Sequence, residues 1–100
     1  MRVGVGFGAF PFSSAAAFWR WVDCCEESNI DSIWLSERLV SFQPFLEPLS
    51  ALAAIAGRTR RLKFGMNTTV LPLRDPLVLA KECATIDYLS DGRFLPKFGV

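Results

Sequence analysis

The chain contains no histidine and only three cysteines among its 100 residues. Without histidine it lacks the side chain used most often as a general base near neutral pH and as a metal ligand. Cys24 and Cys25 are adjacent, and neighbouring residues on a helix point about 100° apart, so these two would not form a disulfide easily. We therefore expect no metal site and reduced thiols, as in a cytoplasmic protein.

The chain also has little net charge and no long apolar run. Eleven basic and ten acidic side chains leave a net charge of +1, and no apolar run approaches the ~18 residues of a membrane span. The opening MRVGVGFGAF carries three glycines, which do not suit a signal peptide. The basic cluster Arg58, Arg60, Arg61 and Lys63 is interpreted as a solvated helix-to-strand turn, with phosphate binding as the alternative. No nucleic-acid or membrane partner is expected.

Apolar residues make up 51% of the chain, enough for the core of one domain. Short apolar segments alternate with segments of helical periodicity at intervals of about 30 residues, the length of a βα unit. The predicted strands are RVGVGFG, DSIWLSE, RLKFG and RFLPKFGV. This order predicts a β-α-β-α-β-α-β chain with four parallel strands.

Each predicted helix begins with a residue that can accept hydrogen bonds from the first turn. These are Ser13 or Ser14 for the first helix, Glu47 before Pro48 for the second and Asp75 before Pro76 for the third. In the last predicted strand Pro96 removes a donor from the ladder, which is tolerated only at an edge or a bulge.

The segment IDSIWLSERL, followed by LEPLSALAAIAGRTRRLKFGMNTTVLPLRDPLVLAKECATIDYLSDGRF, resembles the N-terminal part of luciferase-like monooxygenases. These are flavin- or deazaflavin-dependent oxidoreductases, bacterial luciferase among them, built on a (β/α)8 barrel. Because a full barrel takes about 250 residues and eight strands, the resemblance implies that residues 1–100 are a single partial domain, the N-terminal half of a TIM barrel. A truncated product, a proteolytic remnant or an incomplete gene is the expected origin.

The resemblance also implies a cofactor site. In the family the segment after the third strand lies against the flavin ring, often with a non-proline cis peptide, which in this sequence would be Asn67–Thr68. The expected cofactor-binding residues are therefore Met66, Asn67 and Thr68, with Gly8 after the first strand. The alternative is a loop whose polar residues satisfy their own backbone. FMN or a deazaflavin is the expected cofactor, and binding of none is the alternative, because barrels grip phosphate near their last strands.

Glu37 and Arg38, at the end of the second strand, are the expected catalytic residues. Related members carry a histidine after the acidic residue, and in bacterial luciferase it is important for catalysis. Arg38 replaces it here, and a guanidinium cannot be deprotonated in a protein, so luciferase-type chemistry is not expected. Arg38 is suited instead to bidentate binding of an anionic substrate or cofactor group. An exposed Glu37–Arg38 pair of little energetic value is the alternative.

Other residues are assigned from their position. Gly6, Gly8 and Phe10 are expected to line one face at the first strand. The three tryptophans are expected to be packing residues. The segment GVGFG does not continue directly into a helix, as a dinucleotide fingerprint does.

Three functions remain open: part of a flavin- or deazaflavin-dependent oxidoreductase acting on a small-molecule substrate, an inactive half-barrel that self-associates, and a small-ligand carrier. A four-stranded half-barrel would have two bare edges and a bulky apolar inner face. We therefore predict a homo-oligomer, formed by two halves closing together or by helix faces. In the family, dimers commonly pack the helices after the second and third strands. Closely spaced alanines would permit this here: Ala51, Ala53, Ala54 and Ala56.

Overall fold

The computed structural model describes residues 1–8, 10–38 and 40–99. In chain order the elements are β1 (Gly4–Gly6), α1 (Ala15–Glu27), β2 (Ser32–Leu35), α2 (Pro48–Arg58), β3 (Lys63–Met66), β4 (Thr69–Val70), α3 (Pro76–Leu89), β5 (Phe94–Leu95) and β6 (Phe98–Gly99). A short 3-10 turn, Leu71–Leu73, precedes α3. The main sheet has the order β1-β2-β3-β5, with every neighbouring pair parallel. The predicted alternation and the four parallel strands are confirmed.

The last predicted strand is split at Pro96 and Lys97. Before the split β5 pairs with β3, and after it β6 pairs with β4, which follows a cis peptide bond between Asn67 and Thr68. At the junction the Thr69 N–H donates to the Lys97 carbonyl at 2.8 Å. Two neighbouring strands are therefore interrupted at the same level, and Pro96 lies at the interruption, where a ladder donor is not needed. The predicted end of this strand, Val100, lies outside the described residues.

The helices begin where the capping residues predict. Side-chain oxygens of Ser14, Glu47 and Asp75 accept hydrogen bonds from first-turn N–H groups at 2.9–3.2 Å. Pro48 and Pro76 occupy the first helical positions, where no backbone donor is lost. Each cap contributes about 1 kcal/mol to helix stability. None of the helices that the described residues form is long and apolar enough to cross a membrane.

The core lies between the main sheet and the helices. Alternate residues of the central strands point to this side and meet the apolar faces of the helices. The side chains that are fully or almost fully buried there include Val22, Ile33, Leu35, Leu52, Ile55, Phe64, Met66, Leu79 and Ile86. Trp19 and Trp21 pack against this core, as predicted.

The other face of the sheet is built from small residues and one large ring. A Cβ atom on Gly4 would lie 2.8 Å from Trp34 Nε1, and one on Gly65 would lie 2.8 Å from Trp34 Cζ3. The indole therefore spans the sheet from β1 to β3, and its N–H donates to Ser32 Oγ at 2.9 Å. The expectation of a bulky apolar inner face is wrong for β1, which presents Gly4 and Gly6 on this face. Trp34, which was expected only to pack, also lies over the backbone of β1 and β3.

Basic residues join the helices to the strands. Arg61 donates to the carbonyls of Cys25, Glu26 and Ile30 at the end of α1, so the basic cluster is a structural turn, as predicted. Arg93, which the sequence analysis did not single out, makes five hydrogen bonds. Its acceptors are the Ala56, Thr59, Leu62 and Ser90 carbonyls and Thr59 Oγ1.

Candidate functional site

A cleft of about 420 Å³ opens at the carboxyl ends of β1, β2 and β3. We call it the glycine cleft; it is lined by Gly4, Val5, Gly6, Phe7, Gly8, Trp34, Ser36 and Asn67. A second space of about 320 Å³, the arginine hollow, is lined by Gly8, Ser36, Glu37, Arg38, Gln43, Phe45 and Asn67. The two spaces share three lining residues, Gly8, Ser36 and Asn67, and therefore lie side by side. This is the end of a parallel sheet at which α/β barrels bind ligands.

Three of the residues that line the glycine cleft, Gly4, Gly6 and Gly8, have no side chain. A Cβ atom on Gly4 would meet Ser32 Oγ and Trp34 Nε1, and one on Gly6 would meet the Trp34 carbonyl oxygen, whereas nothing lies within 4 Å of one on Gly8. Ser36 Oγ donates to the Phe7 carbonyl at 3.1 Å and ties the ends of β1 and β2 together. A bare backbone beside an indole ring suits a planar ligand.

Asn67 stands on the boundary between the cleft and the hollow. Its peptide bond to Thr68 is cis, as the resemblance implied. Its backbone N–H donates to the Leu35 carbonyl, and Lys97 Nζ donates to its Oδ1, both at 2.8 Å. Because an ammonium group has donors only, the Asn67 amide must turn its oxygen towards Lys97. Its N–H groups are left for other acceptors.

Glu37 is bound to the segment that follows β3. Its side chain is 2% exposed; one carboxylate oxygen accepts the Val70 N–H at 2.5 Å and the other pairs with Arg74. Arg74 also donates to Glu47 at 3.1 Å and to the Val70 carbonyl at 3.2 Å. The hydrogen bond that Arg74 donates to the Glu37 carboxylate raises the pKa of Arg74 above its usual value. Arg74, rather than Arg38, is therefore the partner of Glu37, and both carboxylate oxygens hold structure.

Arg38 is exposed and faces the hollow. Its Cζ atom lies 6.0 Å from the centroid of the Phe45 ring. It also lines an adjoining recess of about 210 Å³ that reaches Leu46 and Pro48 at the start of α2. Within the described part of the chain, no carboxylate pairs with Arg38.

The predicted site residues divide into two groups. Those that line the glycine cleft or the arginine hollow are Gly8, Glu37, Arg38 and Asn67. Met66 does not, because its side chain is fully buried in the core. Thr68 is also absent from the lining, and its Oγ1 lies 2.9 Å from the position of a Cβ atom on Gly99.

Phe10 does not lie on the face of Gly6 and Gly8. Its ring packs in an aromatic cluster with Phe7, Phe12 and Phe18, with centroid distances of 5.2–6.1 Å. The loop after β1 therefore turns Phe10 towards α1.

Residues of the site that were not predicted from the sequence include Ser36, Gln43, Phe45 and Lys97. Trp34, which was predicted only to pack, also lines the glycine cleft. Ser36 could have been found, since it directly precedes Glu37 at the end of a strand. Gln43 and Phe45 lie in an irregular loop, where no periodicity indicates direction. Among the described residues, no group of three or more His, Cys, Asp and Glu side chains is placed to hold a metal ion.

The family of luciferase-like monooxygenases matches residues 3–100. The alkanal monooxygenase alpha chain of Photorhabdus luminescens is 34% identical over 76 residues, which cover 75% of this chain and 20% of that protein. The 4-hydroxyprotoasukamycin monooxygenase of Streptomyces nodosus subsp. asukaensis is 27% identical over 101 residues, covering 90% and 27%. The F420-dependent glucose-6-phosphate dehydrogenase of Amycolatopsis mediterranei is 31% identical over 77 residues, covering 70% and 22%.

Solved structures agree with the sequence relatives. The oxygenating constituent of 3,6-diketocamphane monooxygenase from Pseudomonas putida, in complex with FMN, matches with a TM-score of 0.82 and 25% identity, covering 99% of this chain and 29% of that one. Monooxygenase RslO1 from Streptomyces bottropensis matches with a TM-score of 0.83 and 26% identity, covering 99% and 33%. This chain thus spans about a fifth to a third of the length of these relatives.

Proposed function

This chain belongs to the luciferase-like monooxygenase family, and we propose that its glycine cleft receives the ring system of a flavin or deazaflavin. The observation that carries this proposal is the convergence of Gly8, Trp34 and Asn67 on one space of about 420 Å³. Support comes from relatives of both cofactor types: a structural relative is in complex with FMN, and a sequence relative is F420-dependent.

The residues that line the two spaces are better suited to the ring system of the cofactor than to its phosphate or tail. Bare backbone and the Trp34 indole match a planar group, and the N–H groups of Asn67 can donate to ring acceptors. Barrels of this type grip phosphate near their last strands, and the described lining carries one guanidinium, that of Arg38, and no phosphate loop. When bound, a reduced flavin or deazaflavin supplies the hydride or oxygen chemistry.

We therefore assign the chain to the N-terminal part of an oxidoreductase or monooxygenase that acts on a small molecule in the cytoplasm. Glu37 holds the segment that follows Asn67 through the Val70 N–H and through Arg74, and Arg38 contacts the substrate. Because Arg38 cannot release a proton, proton transfer of the kind a histidine performs is not assigned to this position.

Titration of the chain with FMN, and separately with F420, followed by fluorescence anisotropy, tests this proposal. We expect Asn67→Ala to weaken binding about fivefold, since one hydrogen bond contributes about 1 kcal/mol. Asn29→Ala, at an exposed position just beyond α1, is the matched control and should bind as the unaltered chain does. Failure of both cofactors to bind, or equal binding by Asn67→Ala, would contradict the proposal.

A second candidate is an inactive half-barrel that self-associates. Two observations favour it: in the described part of the chain β1 and β5 each have one neighbour in the main sheet, and Leu77 and Tyr88 on α3 are 81% and 82% exposed. Unpaired edges and exposed apolar side chains both promote pairing with another chain. Sedimentation velocity at micromolar concentration should show a homodimer, and a folded monomer would contradict this. A dimer that binds neither cofactor would favour this candidate over the first.

A further inference from the structure

Arg38 is a cationic side chain in a concave site and pairs with no acidic group among the described residues. Arg61, Arg74 and Arg93 are all hydrogen-bonded to carbonyl or carboxylate oxygens, whereas within the described residues Arg38 has no ion pair and donates no hydrogen bond. Arg20 is exposed on the surface of α1, while Arg38 lines the arginine hollow and the recess beside it. A guanidinium has five donors in a planar fork that matches an oxyanion.

The charges around the hollow favour an anion. Glu37 lines it, but Arg74 neutralises its carboxylate. Glu47, in the adjoining recess, is bound to Arg74 and to the first N–H groups of α2. The remaining lining is neutral, with Gln43 among its polar side chains. An entering oxyanion therefore meets the guanidinium of Arg38 in the hollow, whereas the adjoining recess also holds the carboxylate of Glu47, which shares Arg74 with Glu37.

The shape of the hollow indicates what accompanies the oxyanion. Its volume of about 320 Å³ lies at the lower end of the range for small-molecule sites. The Phe45 ring, 6.0 Å from Arg38 Cζ, provides an apolar wall beside the charge. The hollow and the glycine cleft share Gly8, Ser36 and Asn67 as lining residues, so a ligand held at Arg38 lies beside the proposed ring position.

We propose that Arg38 binds the carboxylate of a small organic acid, the substrate, whose other end extends towards the glycine cleft. The inference rests on the proposed function for what lies in that cleft. The phosphate of FMN is the other source of an oxyanion.

Binding of benzoate, followed by NMR of the ¹⁵N-labelled chain, tests the inference. We expect saturable shifts at Ser36 and at the Gln43 side-chain amide, and Arg38→Ala should weaken binding at least tenfold. Arg38→Lys keeps the charge but loses the fork and should weaken binding about threefold. Benzamide, the neutral analogue, should bind weakly and equally to all variants, and Arg20→Ala is the matched control. Equal benzoate binding by Arg38→Ala and the unaltered chain would overturn the inference.

A second set of measurements distinguishes a substrate carboxylate from the FMN phosphate. It also distinguishes failure of this inference from failure of the proposed function. If Arg38→Ala weakens FMN binding but not riboflavin or benzoate binding, Arg38 serves the cofactor phosphate and the inference is wrong. If flavins bind but benzoate does not, the inference fails while the proposed function stands. If benzoate binding depends on Arg38 but neither FMN nor F420 binds, the anion site stands and the proposed function fails.

Discussion

Replacing Glu37 tests the contact that fixes one wall of the site. The side chain is 2% exposed, so solvent screens its interactions little. Glu37→Gln keeps an acceptor for the Val70 N–H but removes the charge that faces Arg74, which retains Glu47 as a partner. We expect a loss of about 2 kcal/mol in the free energy of unfolding, below the 3–5 kcal/mol for a fully broken buried pair. Glu37→Ala also leaves the Val70 N–H without an acceptor, and we expect about 3 kcal/mol.

Urea unfolding followed by circular dichroism measures both losses. The protein concentration must be equal for all variants, because self-association adds to apparent stability. Asp23→Asn is the matched control: Asp23 pairs with Arg58 at 2.8 Å, but the two side chains are 42% and 47% exposed. Such a pair is screened, so its loss should hardly move the midpoint. A Glu37→Gln midpoint equal to that of the unaltered chain, or an equally large effect in Asp23→Asn, would refute the reasoning.

Three further predictions concern stability, measured by the same unfolding assay. Burial favours the neutral Glu26 carboxyl, but three backbone N–H donors outweigh it and lower its pKa. Glu26 therefore stabilises the fold above about pH 4.3, and this stabilisation is lost as the pH falls through the lowered pKa. Glu26→Gln should reduce the stability that the protein loses on acidification. Glu27→Gln, which changes the exposed neighbouring residue, should leave that loss unchanged. A Cβ atom at Gly65 would overlap the Leu95 carbonyl oxygen, so Gly65→Ala should lower the free energy of unfolding by about 2 kcal/mol or more. Gly57→Ala, in open space in α2, should raise it by about 0.5 kcal/mol. Equal effects of the two substitutions would contradict this prediction. Arg93→Lys loses most of five hydrogen bonds and should cost about 2–3 kcal/mol; unchanged stability would be the opposing result.

Local chemistry made most of the fold predictable. A residue such as Ser14 or Asp75 caps its own first turn, so its role depends on neighbours a few positions away. The strand–helix alternation follows from hydrophobic periodicity in the same way. The break at Pro96 was visible in part, since a proline in a strand indicates an edge or a bulge. The interruption after β3 at the same level could not be predicted, because it depends on pairing with a segment about 30 residues away.

The site was less predictable because its contacts join distant parts of the chain. Glu37 and Arg74 are 37 positions apart, and nothing in the local pattern of either residue indicates the pair. Met66 is different: side chains of a strand alternate between faces, so Met66 shares the core side with Phe64. Its burial could have been predicted from the spacing alone.

The central claim is that the glycine cleft receives a flavin ring, and nuclear Overhauser effects from the ring protons of bound FMN test it most directly. We expect contacts from the ring protons to the Trp34 indole and to the amides of Gly8, Ser36 and Asn67, which line one space. Contacts confined to residues of α2 or α3, with none in the cleft, would contradict it.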